Sequence, residues 1–133
     1  MWKEWQLDII LKKAWNKGII LCGLSAGSIC WFEEGVTDSI PGERTVLKCI
    51  SFLPGSNCPH YNWEIYKNGY HQLLDRELIK EGYAADDGVA IHFIDDRIYK
   101  IVSSRTTAKA YYIQKKNGQV IENLLHTQYL GKN

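Results

Sequence analysis

The chain has 133 residues, of which 45% are hydrophobic and 23% charged, and this length suits a single domain, residues 1–133, with a sizeable core. A formal net charge of +1 gives no electrostatic basis for binding nucleic acid or an anionic membrane. Because no apolar run approaches the roughly 20 residues of a membrane span and the N-terminus lacks a signal-peptide pattern, we expect a cytoplasmic protein.

The first part of the chain alternates helical and extended patterns. Apolar residues at helical spacing predict an amphipathic helix over residues 3–16: Leu7, Ile10, Leu11, Ala14 and Trp15. The β-branched run at residues 19–22 predicts a strand, and residues 26–32 predict a short buried helix. This alternation predicts a parallel sheet that is covered on both faces.

The second part of the chain is richer in strands. Residues 33–42 are predicted as a loop, residues 45–51 as a strand, and residues 53–61 as non-helical because they contain two prolines. A helix is predicted over residues 64–80, although Gly69 weakens its middle. Five further strands, the last four in an antiparallel meander, are predicted at residues 83–85, 89–93, 98–102, 110–114 and 120–124.

The most informative stretch is Gly23-Leu24-Ser25-Ala26-Gly27, between the predicted strand and the short helix. This layout is typical of a nucleophile elbow, a sharp turn that lifts one hydroxyl above the end of a sheet. Two glycines suit such a turn because they carry no Cβ to clash with neighbouring backbone. The alternative is an ordinary strand–turn–helix in which Ser25 is an N-cap.

A serine nucleophile needs a base, and the base needs an orienting group. His60 is the favoured base because it lies in a proline-constrained loop after a strand. The other histidines are expected to be structural or solvent-facing: His71, His92 and His126. Asp87 is the favoured acid because it follows a short strand, with Asp38 as its competitor. Either aspartate is equally compatible with a turn carboxylate that bonds its own backbone.

The four cysteines contain no Cys-x-x-Cys pair. Cys22 and Cys49 lie in apolar runs and are predicted to be small buried side chains, which fits a reducing compartment. Cys58-Pro59-His60 lacks further grouped ligands, so neither a metal nor another cofactor is expected.

Five blocks of sequence together resemble the peptidase E family, cytosolic serine peptidases that include aspartyl dipeptidases and the related cyanophycinases. The blocks are Gly23-Leu24-Ser25-Ala26-Gly27-Ser28, Cys30-Trp31-Phe32, Thr37-Asp38-Ser39, Pro59-His60-Tyr61 and Asp86-Asp87-Gly88-Val89-Ala90. The resemblance implies an α/β fold: a three-layer α/β/α sandwich with a mainly parallel sheet, flavodoxin-like and similar to class I glutamine amidotransferases. The C-terminal strands add an antiparallel β-hairpin region.

The resemblance also implies roles for individual residues. Ser25 would be the nucleophile, His60 the base and Asp87 the acid that orients His60. Asp38 is an alternative or auxiliary acid. The Ala26 N–H would donate one hydrogen bond to the oxyanion.

Two departures from the family pattern shape the functional hypotheses. Family members carry an N-terminal region with several strands and a Gly-Gly-rich loop that supplies a second oxyanion donor. Nothing precedes the predicted helix here, so we expect exposed apolar surface and pairing with a second copy or with a separately encoded N-terminal half. Aspartyl dipeptidases hold the substrate carboxylate with a basic residue beyond the histidine, where this chain offers only Lys67 and Arg76.

The sequence therefore predicts a serine peptidase that hydrolyses short peptides. The alternative is a truncated, catalytically silent homologue, acting as an oligomeric binding or scaffold module or as half of a split enzyme. A non-peptidase acyl hydrolase rests on the Gly-x-Ser-x-Gly pattern alone.

Overall fold

A computed structural model describes residues 2, 4–39 and 44–131. The described residues form three helices: α1 (Leu7–Asn16), α2 (Ala26–Ile29) and α3 (Glu64–Asp75). They also form nine strands: β1 (Phe32–Thr37), β2 (Thr45–Lys48), β3 (Leu53–Cys58), β4 (Gly82–Ala85), β5 (Val89–Ile94), β6 (Arg97–Ser103), β7 (Ala110–Lys116), β8 (Gln119–Leu125) and β9 (Gln128–Tyr129).

The larger sheet has six strands in the order β2-β1-β3-β4-β7-β8. Only β1–β3 and β3–β4 pair in parallel, while β1–β2, β4–β7 and β7–β8 are antiparallel. The sheet is mixed, so the prediction of a mainly parallel sheet is not confirmed. The connections explain the difference: β3 and β4 are joined through α3, whereas Asn117 and Gly118, both with positive φ, close a tight β7–β8 hairpin.

Helix α3 covers one face of this sheet. Tyr70, Leu73 and Leu74 of α3 are buried against side chains from the strands and loops of the sheet: Val36, Cys58, Tyr61, Ile79, Ala84 and Ile113. Tyr83 precedes Ala84 in β4, so its side chain points to the opposite face. There it packs against Phe93 of β5, at 5.4 Å between ring centroids. The smaller sheet, in the order β5-β6-β9, thus supplies an aromatic side chain where a helical layer was predicted, and the three-layer sandwich is not confirmed.

Residues 19–22 do not form the predicted strand. They lie between α1 and α2 without regular secondary structure, with Ile20 85% exposed and Cys22 also exposed. A strand is stable only when a neighbour satisfies its N–H and C=O groups, and none of the described strands pairs with this segment. The predicted burial of Cys22 is therefore wrong, whereas Cys49 is buried as predicted.

Strand β1 occupies residues that were predicted as the end of a helix and a loop. The glycine, proline and aspartate content of residues 33–42 predicted a loop, but Glu34 is buried in the structure. Its carboxylate pairs with the Lys48 side chain and accepts a hydrogen bond from the Lys80 N–H at 2.8 Å. A buried carboxylate is tolerated when it is paired in this way, which composition alone does not reveal.

The remaining predicted elements are present with altered ends, but the last four strands do not form one meander, because β5 pairs with β6 in the smaller sheet and β7 pairs with β8 in the larger one. The predicted start of the first helix at Lys3 lies outside the described residues, and α1 begins at Leu7. The predicted helix over residues 64–80 is α3 and ends at Asp75, and each of the last five predicted strands is present within two residues of its predicted ends. None of the described helices is both long and apolar enough to cross a membrane.

Candidate active site

Ser25 lies on a tight turn immediately before α2. Its φ of 51° and ψ of −118° lie outside the usual regions for a residue with a side chain, as expected for strain in a sharp turn. A Cβ on Gly23 would lie 2.0 Å from the carbonyl oxygen of Gly27, so only glycine fits at position 23. A Cβ on Gly27 would meet open space, so the prediction that Gly27 also relieves a clash is not supported.

The hydroxyl of Ser25 is turned towards His60 rather than towards the helix. Among the described residues, no backbone N–H of α2 donates to the Ser25 side chain, so Ser25 does not act as a side-chain N-cap. Its Oγ lies 2.9 Å from Nε2 of His60. Ser28 fixes the turn, because its hydroxyl donates to the Ser25 carbonyl at 2.6 Å and also contacts Oδ1 of Asn57 in β3.

The sheet brings His60 and Asp87 together. His60 follows β3 and Asp87 follows β4, two parallel neighbours in which Cys58 is opposite Ala84. The carboxyl ends of parallel strands meet at one edge of a sheet, so residues shortly after these strand ends are neighbours. The N–H of Tyr61 donates to the Ala85 carbonyl at 3.0 Å and joins the two loops directly.

The three side chains form one hydrogen-bonded line. His60 Nδ1 lies 2.6 Å from Oδ1 of Asp87, and His60 Nε2 lies 2.9 Å from Oγ of Ser25. An ionised carboxylate only accepts hydrogen bonds, so this geometry assigns the proton of a neutral imidazole to Nδ1. Nε2 is then free to accept the proton of the Ser25 hydroxyl, which is the arrangement of a nucleophile, a base and an orienting acid.

Two hydrogen bonds hold Asp87 in addition to its contact with His60. The indole N–H of Trp63 donates to Oδ2 of Asp87 at 2.9 Å, and the backbone N–H of Asp87 donates to Oδ1 of Asn62 at 2.7 Å. The hydrogen bonds from His60 and then from Trp63 lower the pKa of the Asp87 carboxyl below its usual value. Asp87 is therefore ionised at neutral pH.

Asp38, the competing acid, bonds to a different side chain. Its Oδ2 accepts a hydrogen bond from the hydroxyl of Tyr66 at 2.8 Å, and this bond lowers the pKa of Asp38. The described hydrogen bonds give Asp38 no direct link to His60. The structure thus brings Asp87, and not Asp38, onto the imidazole.

A sequence model of peptidase family S51 matches residues 1–101. The chain belongs to peptidase family S51. It is also 52% identical over 132 residues to YgaJ of Bacillus subtilis (strain 168), which is described as an uncharacterized peptidase. That alignment covers 98% of this chain and 57% of the relative, so the chain spans little more than half the length of the relative. The resemblance to the peptidase E family is thereby confirmed at the level of the family.

Three other residues considered from the sequence make contacts outside the Ser25–His60–Asp87 line of this S51 family member. His71 of α3 contacts the Tyr61 hydroxyl at 2.7 Å, and His92 of β5 packs against Tyr99. Lys67 forms an ion pair with Glu122 of β8 at 2.7 Å, so its charge is already partnered.

Ala26 and two aromatic residues after His60 lie next to members of the Ser25–His60–Asp87 line. Ala26 is the first residue of α2, so its N–H belongs to the free donors of the helix N-terminus, beside Ser25. Trp63 and Tyr66 both pack against the His60 ring, with centroid distances of 5.8 and 5.4 Å. Sequence reasoning missed Asn62, Trp63 and Tyr66, although the dense run of aromatic residues after His60 was a usable signal.

Metal-ligating side chains do not converge on this site. Within the part of the chain that the structure describes, no three histidine, cysteine, aspartate or glutamate side chains are grouped closely enough to hold a metal ion. Cys58 is fully buried, and its thiol faces the carbonyl oxygens of Pro59 and Tyr66. Burial raises the pKa of this thiol, so it stays protonated.

Proposed function

We propose that this member of peptidase family S51 is a serine peptidase that hydrolyses peptide bonds in short peptides. The observation that carries the proposal is the continuous Ser25–His60–Asp87 hydrogen-bonded line, with heavy-atom distances of 2.9 and 2.6 Å. The strained backbone of Ser25 supports it, because strain at a serine before a helix is typical of an exposed nucleophile.

The mechanism follows from the proton positions. Oγ of Ser25 attacks the carbonyl carbon of the peptide bond while Nε2 of His60 takes the hydroxyl proton. Asp87 holds Nδ1–H and stabilises the imidazolium that forms. The negative charge on the carbonyl oxygen is stabilised by the Ala26 N–H at the start of α2.

The tetrahedral intermediate then breaks down. The C–N bond breaks, and the leaving amine takes the proton that His60 carries, which leaves an acyl group on Oγ of Ser25. A water molecule, deprotonated by His60, attacks this ester and releases the carboxylic acid, and the Ser25 hydroxyl regains its proton. Each half-reaction returns His60 to its neutral form, so no cofactor is required.

The test is covalent labelling of the folded protein with a fluorophosphonate probe, followed by peptide mapping to locate the adduct. We expect a single adduct on Ser25, absent in Ser25→Ala and strongly slowed in His60→Ala. Ser51→Ala is the matched control, because Ser51 is exposed between β2 and β3 and lies outside the turn that carries Ser25. Folded wild-type protein that takes up no label at Ser25, alone or with a candidate partner half, contradicts the proposal.

The proposal also includes a substrate class and a cellular compartment. Lys67 is paired with Glu122, so we do not propose specificity for acidic dipeptides, and short peptides without a required side chain are the substrate class. All four cysteines are free thiols, which fits a reducing compartment such as the cytoplasm.

A second candidate is favoured by the exposed segment before the elbow. Ile20 and Leu24 are 85% and 91% exposed, so apolar surface next to Ser25 is left uncovered by the described residues. The candidate is a catalytically silent homologue that acts as an oligomeric binding module, or one half of a split enzyme. Light scattering at micromolar concentration tests self-association, with a monomer contradicting a homo-oligomer. If the isolated chain hydrolyses peptides and Ser25→Ala abolishes this turnover, both forms of this candidate are contradicted.

A further inference from the structure

The imidazole of His60 packs against two aromatic rings of the segment that follows it, and these two rings also contact each other. The rings of Trp63 and Tyr66 lie 5.8 and 5.4 Å away and are tilted by 48° and 51°. His60 itself has a φ of 57°, in the left-handed region that a residue with a side chain rarely adopts. A strained residue keeps its conformation only when its surroundings hold it there. The contacts with Trp63 and Tyr66 therefore help to hold the His60 imidazole in its orientation.

Each ring is anchored by a hydrogen bond to a different carboxylate. Trp63 donates to Oδ2 of Asp87 at 2.9 Å, and Tyr66 donates to Oδ2 of Asp38 at 2.8 Å. Asp38 directly follows β1, so the Tyr66–Asp38 bond ties α3 to the end of a strand next to β3. Asp87 therefore contacts the imidazole directly, whereas Asp38 is connected to it through the Tyr66 ring.

Arg44 holds Tyr66 from another side. Its guanidinium carbon lies 4.4 Å from the centre of the Tyr66 ring, which is a cation–π contact. The aliphatic stem of Arg44 crosses α3 at Gly69, where a Cβ would lie 2.7 Å from Cγ of Arg44. A glycine inside a helix costs stability, and here it leaves room for the arginine that contacts Tyr66.

We infer that Tyr66 is a positioning residue for His60, and that Asp38 acts through Tyr66 rather than as the acid that orients the imidazole. The inference rests on the proposed function, because it concerns the orientation of the proposed base. Rotation of the imidazole away from its observed plane breaks the contacts with both Ser25 and Asp87. Loss of the Tyr66 anchor is therefore expected to slow chemistry while leaving peptide binding unchanged.

The test is a double-mutant cycle on the rate of fluorophosphonate labelling. Tyr66→Phe keeps the ring and removes the hydroxyl, and Asp38→Asn removes the charge that the hydroxyl binds. We expect each to slow labelling about 5–10-fold, the effect of one typical lost hydrogen bond, and the double variant to be no slower than the slower single variant. Tyr99→Phe, in β6 of the β5–β6 hairpin and 66% exposed, is the matched control and is expected to label at the wild-type rate.

A second measurement separates this inference from the proposed function. The Nδ1 proton of His60, hydrogen-bonded to Asp87, gives a downfield NMR resonance whose exchange with water reports on the orientation of the ring. We expect Tyr66→Phe and Asp38→Asn to broaden this resonance through faster exchange and Tyr99→Phe to leave it unchanged. In peptide turnover, Tyr66→Phe is expected to lower kcat with KM unchanged.

Three results overturn the inference. The first is labelling by Tyr66→Phe at the wild-type rate. The second is an Asp38→Asn effect as large as that of Asp87→Asn and fully additive with Tyr66→Phe, because Asp38 would then act directly. The third is a His60 resonance that is identical in wild type and Tyr66→Phe, which decides the matter even if Ser25 takes up no probe and the peptidase proposal fails.

Discussion

The backbone N–H of Asp87 donates to the side-chain oxygen of Asn62 at 2.7 Å, so the loop that carries the proposed base also holds the loop that carries the proposed acid. The two loops are already neighbours because β3 and β4 are parallel. The Asn62 contact adds a second constraint, since it fixes the start of the turn at Asp87. His60 and Asp87 are thus positioned as a pair.

Asn62→Ala is predicted to loosen Asp87 without removing any proposed catalytic group. One lost hydrogen bond of this kind is expected to slow Ser25 labelling about fivefold, with about 1 kcal/mol or less lost from the free energy of unfolding. Asn68→Ala, at an exposed position of α3, is the control for removing an asparagine nearby. Equal labelling rates for the two variants contradict a positioning role for Asn62.

The order of helices and strands after residue 44 was largely predictable from the sequence. Turn signals such as Asn117-Gly118 and the alternation of apolar residues specify hairpins locally, and the structure contains them. The pairing pattern was less predictable. Residues 33–42 were predicted as a loop from their glycine, proline and aspartate content, whereas Glu34 is buried in β1 with partners, Lys48 and the Lys80 N–H, that are 14 and 46 residues away.

The site was predictable in its residue types and only partly in its contacts. Ser25, His60 and Asp87 stand out because each follows a predicted strand with turn residues around it. The choice between Asp87 and Asp38 required the parallel register of β3 and β4, which no local pattern encodes. The anchoring of Trp63 and Tyr66 to separate carboxylates also depends on side-chain directions that the sequence does not reveal.

The two glycines of the elbow are predicted to respond differently to alanine. Gly23→Ala places a Cβ 2.0 Å from the backbone oxygen of Gly27, so the turn must shift, at a cost of about 1–3 kcal/mol, and Ser25 labelling is lost. Gly27→Ala meets open space within α2 and is expected to be neutral or to add up to about 1 kcal/mol of stability. Thermal unfolding and labelling of both variants check this. Equal damage from the two substitutions contradicts the assignment of the close contact to Gly23.

Asp87→Asn is predicted to lower stability in a pH-dependent way. The hydrogen bond from His60 lowers the folded-state pKa of Asp87, so the carboxylate stabilises the fold above the ordinary aspartate pKa of about 3.9. This contribution is lost as the pH falls through the lower folded-state pKa. Urea unfolding should therefore show wild type more stable than Asp87→Asn at pH 7, with the gap closing towards pH 3. A gap that is unchanged at pH 3 contradicts the ionised hydrogen-bonded carboxylate.

The four thiols are predicted to differ in reactivity with iodoacetamide at pH 8. Cys22 is exposed, and we expect it to react first. Burial raises the pKa of Cys30 to about 11, and its thiol donates to the Gly27 carbonyl, so it stays protonated. Cys49 and Cys58 are buried.

Mass spectrometry should show one rapid adduct on Cys22 that is absent in Cys22→Ser, with adducts on the other three cysteines appearing only in urea. Rapid modification of Cys30 or Cys58 in the folded protein contradicts the described packing.

Gly69 and Arg44 are predicted to be energetically coupled. Gly69→Ala alone forces the stem of Arg44 off α3, because the new Cβ would lie 2.7 Å from its Cγ, and this cost offsets the gain in helix propensity. In an Arg44→Ala background the obstruction is gone, so the same substitution is expected to raise the free energy of unfolding by up to about 1 kcal/mol. Urea unfolding of the four proteins measures the coupling. If Gly69→Ala stabilises the wild-type and Arg44→Ala proteins equally, Arg44 does not cross α3 at Gly69.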